Sequence, residues 1–207
     1  MADGVDPRVR FAVVHESART RVTRLSRPDR TMIVKEPLGP DAGRRLRHES
    51  AILERLRGVV GVAQLVDEAP HDGSIVLADA GDSTLADLPK PLPARDLAGF
   101  ALGVARAMAE LHRREVIHRD LTPANVVVAA DGTPTLVDFA LATSIAEIRP
   151  EFTHHSEIPG TLAYLAPEQT GRTGRTVDQR ADLYALGAVL YELRTGEPPS
   201  APVTRCA

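Results

Sequence analysis

From residue 8 to residue 36 apolar positions alternate with polar ones and favour β-branched side chains, with Val9, Phe11, Val13, Val22 and Ile33 marking the pattern. That alternation predicts two or three antiparallel strands. The period then changes. Over residues 41–57, Leu46, Ile52, Leu53 and Leu56 fall near one face of a helix, with charge elsewhere. Residues 63–68 and 74–77 read as strands again, flanking a turn at His71-Asp72-Gly73. Asp79 to Asp82 is a short glycine-containing stretch after which the helical period dominates, so a lobe boundary is expected there. A long helix follows over 95–113, with Leu97, Phe100, Ala101, Val104, Met108 and Leu111 spaced to face a core. Residues 126–128 and 135–137 bracket Asp131-Gly132 as a second hairpin, and residues 182–193 have the composition of a buried helix. Between them, residues 139–160 carry no period and hold Ser, Thr, His and Pro, which marks a long loop of the kind that is functional or disordered. There is no internal repeat.

Composition narrows the class. A chain of 207 residues has room for one generous domain or a two-lobed unit. With aromatics at 3% and no Trp, the core must be built from Ala, Val, Leu and Ile. A formal net charge of -3 supplies no general attraction for nucleic acid or an anionic membrane surface. The first residues lack an apolar signal core, and runs such as 126–130 are far too short to span a bilayer. The expectation is a cytoplasmic protein with neither nucleic acid nor membrane as partner. Cys206 is the single cysteine, which excludes an intramolecular disulfide and a cysteine metal cluster. Lysine occurs only at 35 and 90 in a chain otherwise rich in arginine. Lys35, closing the apolar run Met32-Ile33-Val34, therefore stands out.

The chemistry lies in an ordered set of short segments. Residues 118–125 read His-Arg-Asp-Leu-Thr-Pro-Ala-Asn, then come Asp138-Phe139-Ala140 and Ala166-Pro167-Glu168 within Gly160-Thr-Leu-Ala-Tyr-Leu-Ala-Pro-Glu168. Order and spacing resemble the protein kinase family, with its H-R-D-L-x-x-x-N, D-F-G and A-P-E segments, in a bacterial-like serine/threonine form. The resemblance covers residues 8–200. It implies an α+β, bilobal fold: a small antiparallel lobe with one helix over 8–79, and a mainly helical, partial lobe over 83–207 lacking its last helices. It also implies transfer of the γ-phosphate of ATP, with Mg2+, to a hydroxyl of a protein substrate. Asp120 would then accept or orient the hydroxyl proton and Asn125 would share the catalytic loop. Asn125 and Asp138 would hold the metal, as oxygen donors suit magnesium. Lys35 would contact the phosphates with Glu49 as its ion-pair partner, while Val22, Ile33 and Leu77 would line the nucleotide site. Asp182 would brace the catalytic loop. Taken singly, Asp120 is a loop aspartate capping nearby amides, Asn125 and Asp138 are turn residues, and Glu49 is a solvated helix carboxylate like Glu54. Arg119 beside Asp120 resembles kinases whose loop is held by a phosphate, with Thr153, Ser156 and Thr161 as acceptors or as plain loop hydroxyls. His154-His155 reads as solvated, two adjacent side chains being poor evidence for a metal site.

Departures from the family pattern keep other readings open. His15, Ser17 and Thr20 stand where the phosphate-covering loop has glycines, with Arg19 and Arg21 as substitute charge. Ile33 replaces a small alanine, Thr122 replaces a lysine, and Ala140 replaces the glycine after Asp138-Phe139. The chain ends soon after Gly196-Glu-Pro-Pro199, where relatives continue. A fragment or truncated product is therefore expected, with no arginine to pair Glu168 and with apolar surface exposed on the helix over 182–193. The alternative is a nucleotide-binding or scaffolding module without efficient catalysis. A small-molecule phosphotransferase is disfavoured because the segment Gly160-Thr-Leu-Ala-Tyr-Leu-Ala-Pro-Glu-Gln169 resembles a peptide-docking loop. Residues 165–172 further resemble kinase domains that open large bacterial signalling proteins, which implies further signalling domains as partners.

Overall fold

Alternation along residues 10–37 produces three strands in the computed structural model: β1 (Arg10–Glu16), β2 (Thr20–Ser26) and β3 (Thr31–Pro37). The structure describes residues 9–68, 73–144, 161–171 and 173–199. Thr153, Ser156, His154, His155, Arg172 and Cys206, and His71 and Asp72 of the expected turn, lie outside the described residues. By contact density the chain divides into two compact units, residues 1–58 with 63–80, and residues 59–62 with 81–207.

In the first unit β4 (Ile75–Ala78) completes an antiparallel sheet of order β1-β2-β3-β4. Registers Thr23↔Val34, Leu25↔Met32 and Val34↔Val76 place Leu25, Met32, Val34 and Val76 on one face. These four form a buried cluster with Val9 and Val66 packed against it. Directly paired residues of an antiparallel sheet share a face, so the period of two alone assigns the remaining positions to the other side. β1 is the edge strand and all seven of its residues are exposed. The helix α1 (Ala42–Arg55) buries Glu49, Ile52 and Leu53. The expected strand over 63–68 does not form. Its backbone meets β4 through Val66 N→Val76 O and Ala78 N→Gln64 O, both 2.9 Å, and the isolated bridge Leu65↔Leu77. The Gln64 side chain explains this in part: its Oε1 accepts from Gly58 N at 2.6 Å, tying the segment to the end of α1.

The second unit holds α2 (Ala94–Arg113), which buries Val104, Ala107, Met108 and Leu111, and α3 (Arg180–Thr195). Before and between these helices in sequence lie strands too short to carry a period. β5 (Ser83–Thr84), β7 (Val126–Val128) and β8 (Pro134–Leu136) form one small sheet, and β6 (Val116–Ile117) pairs with β9 (Thr143–Ser144). Gly81 is required where β5 approaches β7: with φ at 146°, an added Cβ would meet Val128 O at 2.5 Å. α3 ends on Gly196 in the left-handed conformation. It buries alanines on one side but leaves Leu183, Tyr184 and Tyr191 exposed. Among the described residues no helix is long and apolar enough to cross a membrane.

Candidate functional site

The side chains singled out in the first unit share one surface. Register pairs Val22 with Lys35, Arg24 with Ile33, Ile33 with Leu77 and Lys35 with Ile75. Val22, Ile33, Lys35 and Leu77 therefore lie on the same face of the sheet, opposite the buried cluster. Lys35 Nζ donates to Glu49 Oε1 at 2.7 Å, with both side chains more than nine-tenths buried. Glu49 is thus no solvated helix carboxylate. The helical period put it on the buried side of α1, and the near-absence of lysine made its partner identifiable.

A second pair on that face has no counterpart in the sequence analysis. Arg24, cross-strand from Ile33, meets Asp79 through Nε–Oδ2 at 2.8 Å and Nη2–Oδ1 at 3.2 Å. Asp79 was read only as a boundary residue. The available signal was period two: Arg24 is two residues from Val22, and Asp79 two from Leu77.

The turn joining β1 to β2 is closed by Ser17. Its Oγ accepts from Arg19 N at 3.3 Å and from Thr20 N at 3.1 Å, while Ser17 N donates to Thr20 O at 2.9 Å. Neither Ser17 nor Thr20 needs the left-handed conformation that a glycine would supply. The consequence is that two backbone amides of this turn are directed at a hydroxyl. Arg21 does not supply uncompensated charge here, because it bonds Glu16 at 3.2 Å through Nε and Nη2, which holds that carboxylate below its ordinary range.

In the second unit the segments converge on Asp182, which is buried at the start of α3. One carboxylate oxygen accepts from His118 N and meets His112 Nε2, the other accepts from Arg119 N, all at 2.9 Å. The His118 ring reaches the next segment. Its Nε2 faces Val137 O at 3.1 Å, and a carbonyl only accepts, so Nε2 carries the proton. Nδ1 is then the acceptor for Asp120 N at 3.3 Å. Val137 N donates to Asn125 O at 3.0 Å, so the residue before Asp138 is held through both backbone groups. His118 also packs on Phe139, ring centres 4.8 Å apart.

Asp120 and Asn125 are brought together. After the buried Thr122, a single helical turn at Pro123–Asn125 swings Asn125 back, and its Nδ2 donates to Asp120 O at 2.8 Å and to Asp120 Oδ2 at 3.3 Å. With the amide nitrogen so committed, Asn125 Oδ1 is the atom left to serve a cation. Asp138 stands in the left-handed region with φ at 62°, an unusual conformation for a residue with a side chain. Ala140 does not: the freedom of a glycine is not used at that position. Arg119 shares the left-handed conformation, with φ at 67°. Its guanidinium is largely buried, and desolvation pulls its pKa below the ordinary arginine value despite the pull of Asp182. Gln169, which the sequence analysis passed over within the Ala-Pro-Glu segment, donates from Nε2 to Arg119 O at 2.8 Å.

Among the described residues no group of three or more His, Cys, Asp or Glu gathers around a point. Asn125 and Asp138 instead offer isolated oxygen donors, which suits a magnesium ion that keeps water and phosphate oxygens as its other ligands.

Comparison with known proteins gives the same direction. The sequence profile of the protein kinase domain matches residues 31–205. The chain is 41% identical over 171 residues to the DNA damage-responsive serine/threonine-protein kinase RqkA of Deinococcus radiodurans, covering 77% of this chain and 25% of that protein. It is 39% identical over 128 residues to the probable serine/threonine-protein kinase PknB of Bifidobacterium longum, covering 60% and 18%. To the serine/threonine-protein kinase PknB of Mycobacterium leprae it is 37% identical over 128 residues, covering 60% and 20%. The chain thus spans about a quarter or less of the length of these relatives. With the profile covering most of its residues, from β3 through α3, the chain belongs to the protein kinase family.

Proposed function

We propose that this chain is the catalytic domain of a serine/threonine protein kinase, transferring the γ-phosphate of ATP to a protein hydroxyl. The observation that carries the reading is the bond from Asn125 Nδ2 to Asp120, which places a carboxylate and an amide oxygen on one turn braced from Asp182. Phosphoryl transfer needs mainly positioning and charge neutralisation. Asp120 accepts the proton of the attacking hydroxyl. Asn125 Oδ1 and the Asp138 carboxylate hold Mg2+, which when bound offsets the negative charge of the phosphates. Lys35, oriented by Glu49, serves the nucleotide phosphates, and Val22, Ile33 and Leu77 take the apolar base. The Ser17 hydroxyl on the Arg19 and Thr20 amides, together with bulky Ile33, points to a raised KM for ATP. A protein substrate, further signalling domains and a cytoplasmic location, where ATP is supplied, complete the reading. It is supported by the names of the relatives, each a serine/threonine kinase.

The test is Asp120→Asn. Transfer of labelled γ-phosphate to a serine- and threonine-containing protein should fall by about a thousandfold or more, while Mg-ATP affinity by calorimetry stays at the wild-type value. Equal transfer by the variant and the parent, or none by the parent, overturns the assignment.

A further inference from the structure

We propose that Gln169 is a positioning residue for Asp120, coupling the Ala-Pro-Glu segment to the catalytic loop; this rests on the reading of Asp120 as proton acceptor. Gln169 is buried within a single turn of helix, Pro167–Thr170. Its side-chain amide is used at both ends. Oε1 accepts from Ala166 N at 3.1 Å, closing its own turn, and Nε2 donates to Arg119 O at 2.8 Å, across a sequence separation of 50.

What that second bond holds is specific. Arg119 sits at φ 67°, a conformation that persists in a residue with a side chain only when its surroundings over-determine it. Its N–H is taken by Asp182 Oδ1 at 2.9 Å and its C=O by Gln169. The peptide unit from Arg119 to Asp120 is planar, so fixing the carbonyl also fixes the direction of the Asp120 N–H. That N–H makes a long bond, 3.3 Å, to His118 Nδ1. Gln169 therefore grips one edge of the plane whose other edge carries the long bond to His118, and the Asp120 side chain departs directly from it. Asp182 and His118 come from α3 and from the loop itself. Gln169 alone among these contacts comes from the segment with the resemblance to a peptide-docking loop, so the placement of that segment is transmitted to the carboxylate through one amide.

Two variants of the full chain test this. Gln169→Glu keeps an oxygen for Ala166 N but puts a second oxygen against Arg119 O, and Gln169→Met removes both bonds at similar length. Both should lower kcat about a hundredfold, the loss that follows a misplacement of about 1 Å. KM for ATP and Mg-ATP affinity should remain near wild type, while the melting temperature falls, because Ala166 N or Arg119 O loses its partner in a buried place. The Asp120 amide resonance should move, and its hydrogen exchange quicken, more than those of other loop amides. Unchanged kcat in both variants overturns the proposal. So does a loss of kcat matched by an equal loss of Mg-ATP affinity with the Asp120 amide unmoved, which would mark a merely structural role. A wild-type chain that transfers no phosphate defeats the kinase reading instead, and the Asp120 amide then decides alone: unmoved in both variants, it overturns the positioning role.

Discussion

Lys35 and Glu49 are both buried and each is the other's partner at 2.7 Å, so removing either leaves a charge in a poorly solvated place. Lys35→Ala should destabilise the chain by about 3–5 kcal/mol in urea unfolding. The paired change Lys35→Met with Glu49→Leu should recover most of that, since two apolar side chains of similar volume leave no orphaned charge. If the double variant is as unstable as Lys35→Ala, the cost is not that of an orphaned charge but of the lost pair itself, which then holds α1 to β3. The same logic of committed groups runs through the second unit. Glu192 accepts from Lys90 Nζ at 2.5 Å and from the Tyr164 hydroxyl. Burial, and then the bond to Glu192, push the Tyr164 phenol above its ordinary range, so it remains a donor through the physiological range.

At the scale of elements, the β1–β2 turn departs most from what its family pattern implies. A glycine-rich turn offers its amides outward; here Ser17 Oγ takes those of Arg19 and Thr20. Ser17→Gly should release them for phosphate. Each hydrogen bond is worth about 1 kcal/mol net, so KM for ATP should fall about fivefold if one amide reaches phosphate and about thirtyfold if both do, with kcat little changed. An unchanged KM would mean that these amides do not serve the nucleotide. The cost to the fold should be small, because the turn is exposed and its strand pairing, from Arg10↔Ser26 to Glu16↔Arg21, does not depend on Ser17.

For the whole molecule, a nucleotide that binds only the folded chain must raise its stability. At one hundred times its Kd, Mg-ATP should add about 2.7 kcal/mol, seen as a higher melting temperature that needs both magnesium and nucleotide. No shift at millimolar Mg-ATP would remove nucleotide binding from the reading. Much of this protein was already decided by residue order. Long periodic segments announced β1 to β3, α1 and α2, because a period of 2 or 3.6 sustained over many residues commits one face to burial whatever the partner, while α3 was announced by composition. The candidate residues were legible through spacing: Asp120, Asn125 and Asp138 are close in sequence, so a short turn and a hairpin suffice to hold them. Lys35 was marked by scarcity. Tertiary structure decided the rest. β5, β6 and β9 are two residues long and have no period, so only their partners make them strands. The segment 63–68 was expected as a strand but meets β4 through an isolated bridge, Leu65↔Leu77, while Gln64 is tied to Gly58. The left-handed conformations of Arg119 and Asp138 have no local signature, since neither is glycine; Asp182 and Gln169, distant along the chain, hold the backbone of Arg119, and His118 holds the carbonyl just before Asp138. Ser17 and Gln169 are ordinary residues as letters. Their significance arises only from which amide, carbonyl or charge the fold brings within 3 Å or so of each, and a linear pattern of polarity carries no information about that.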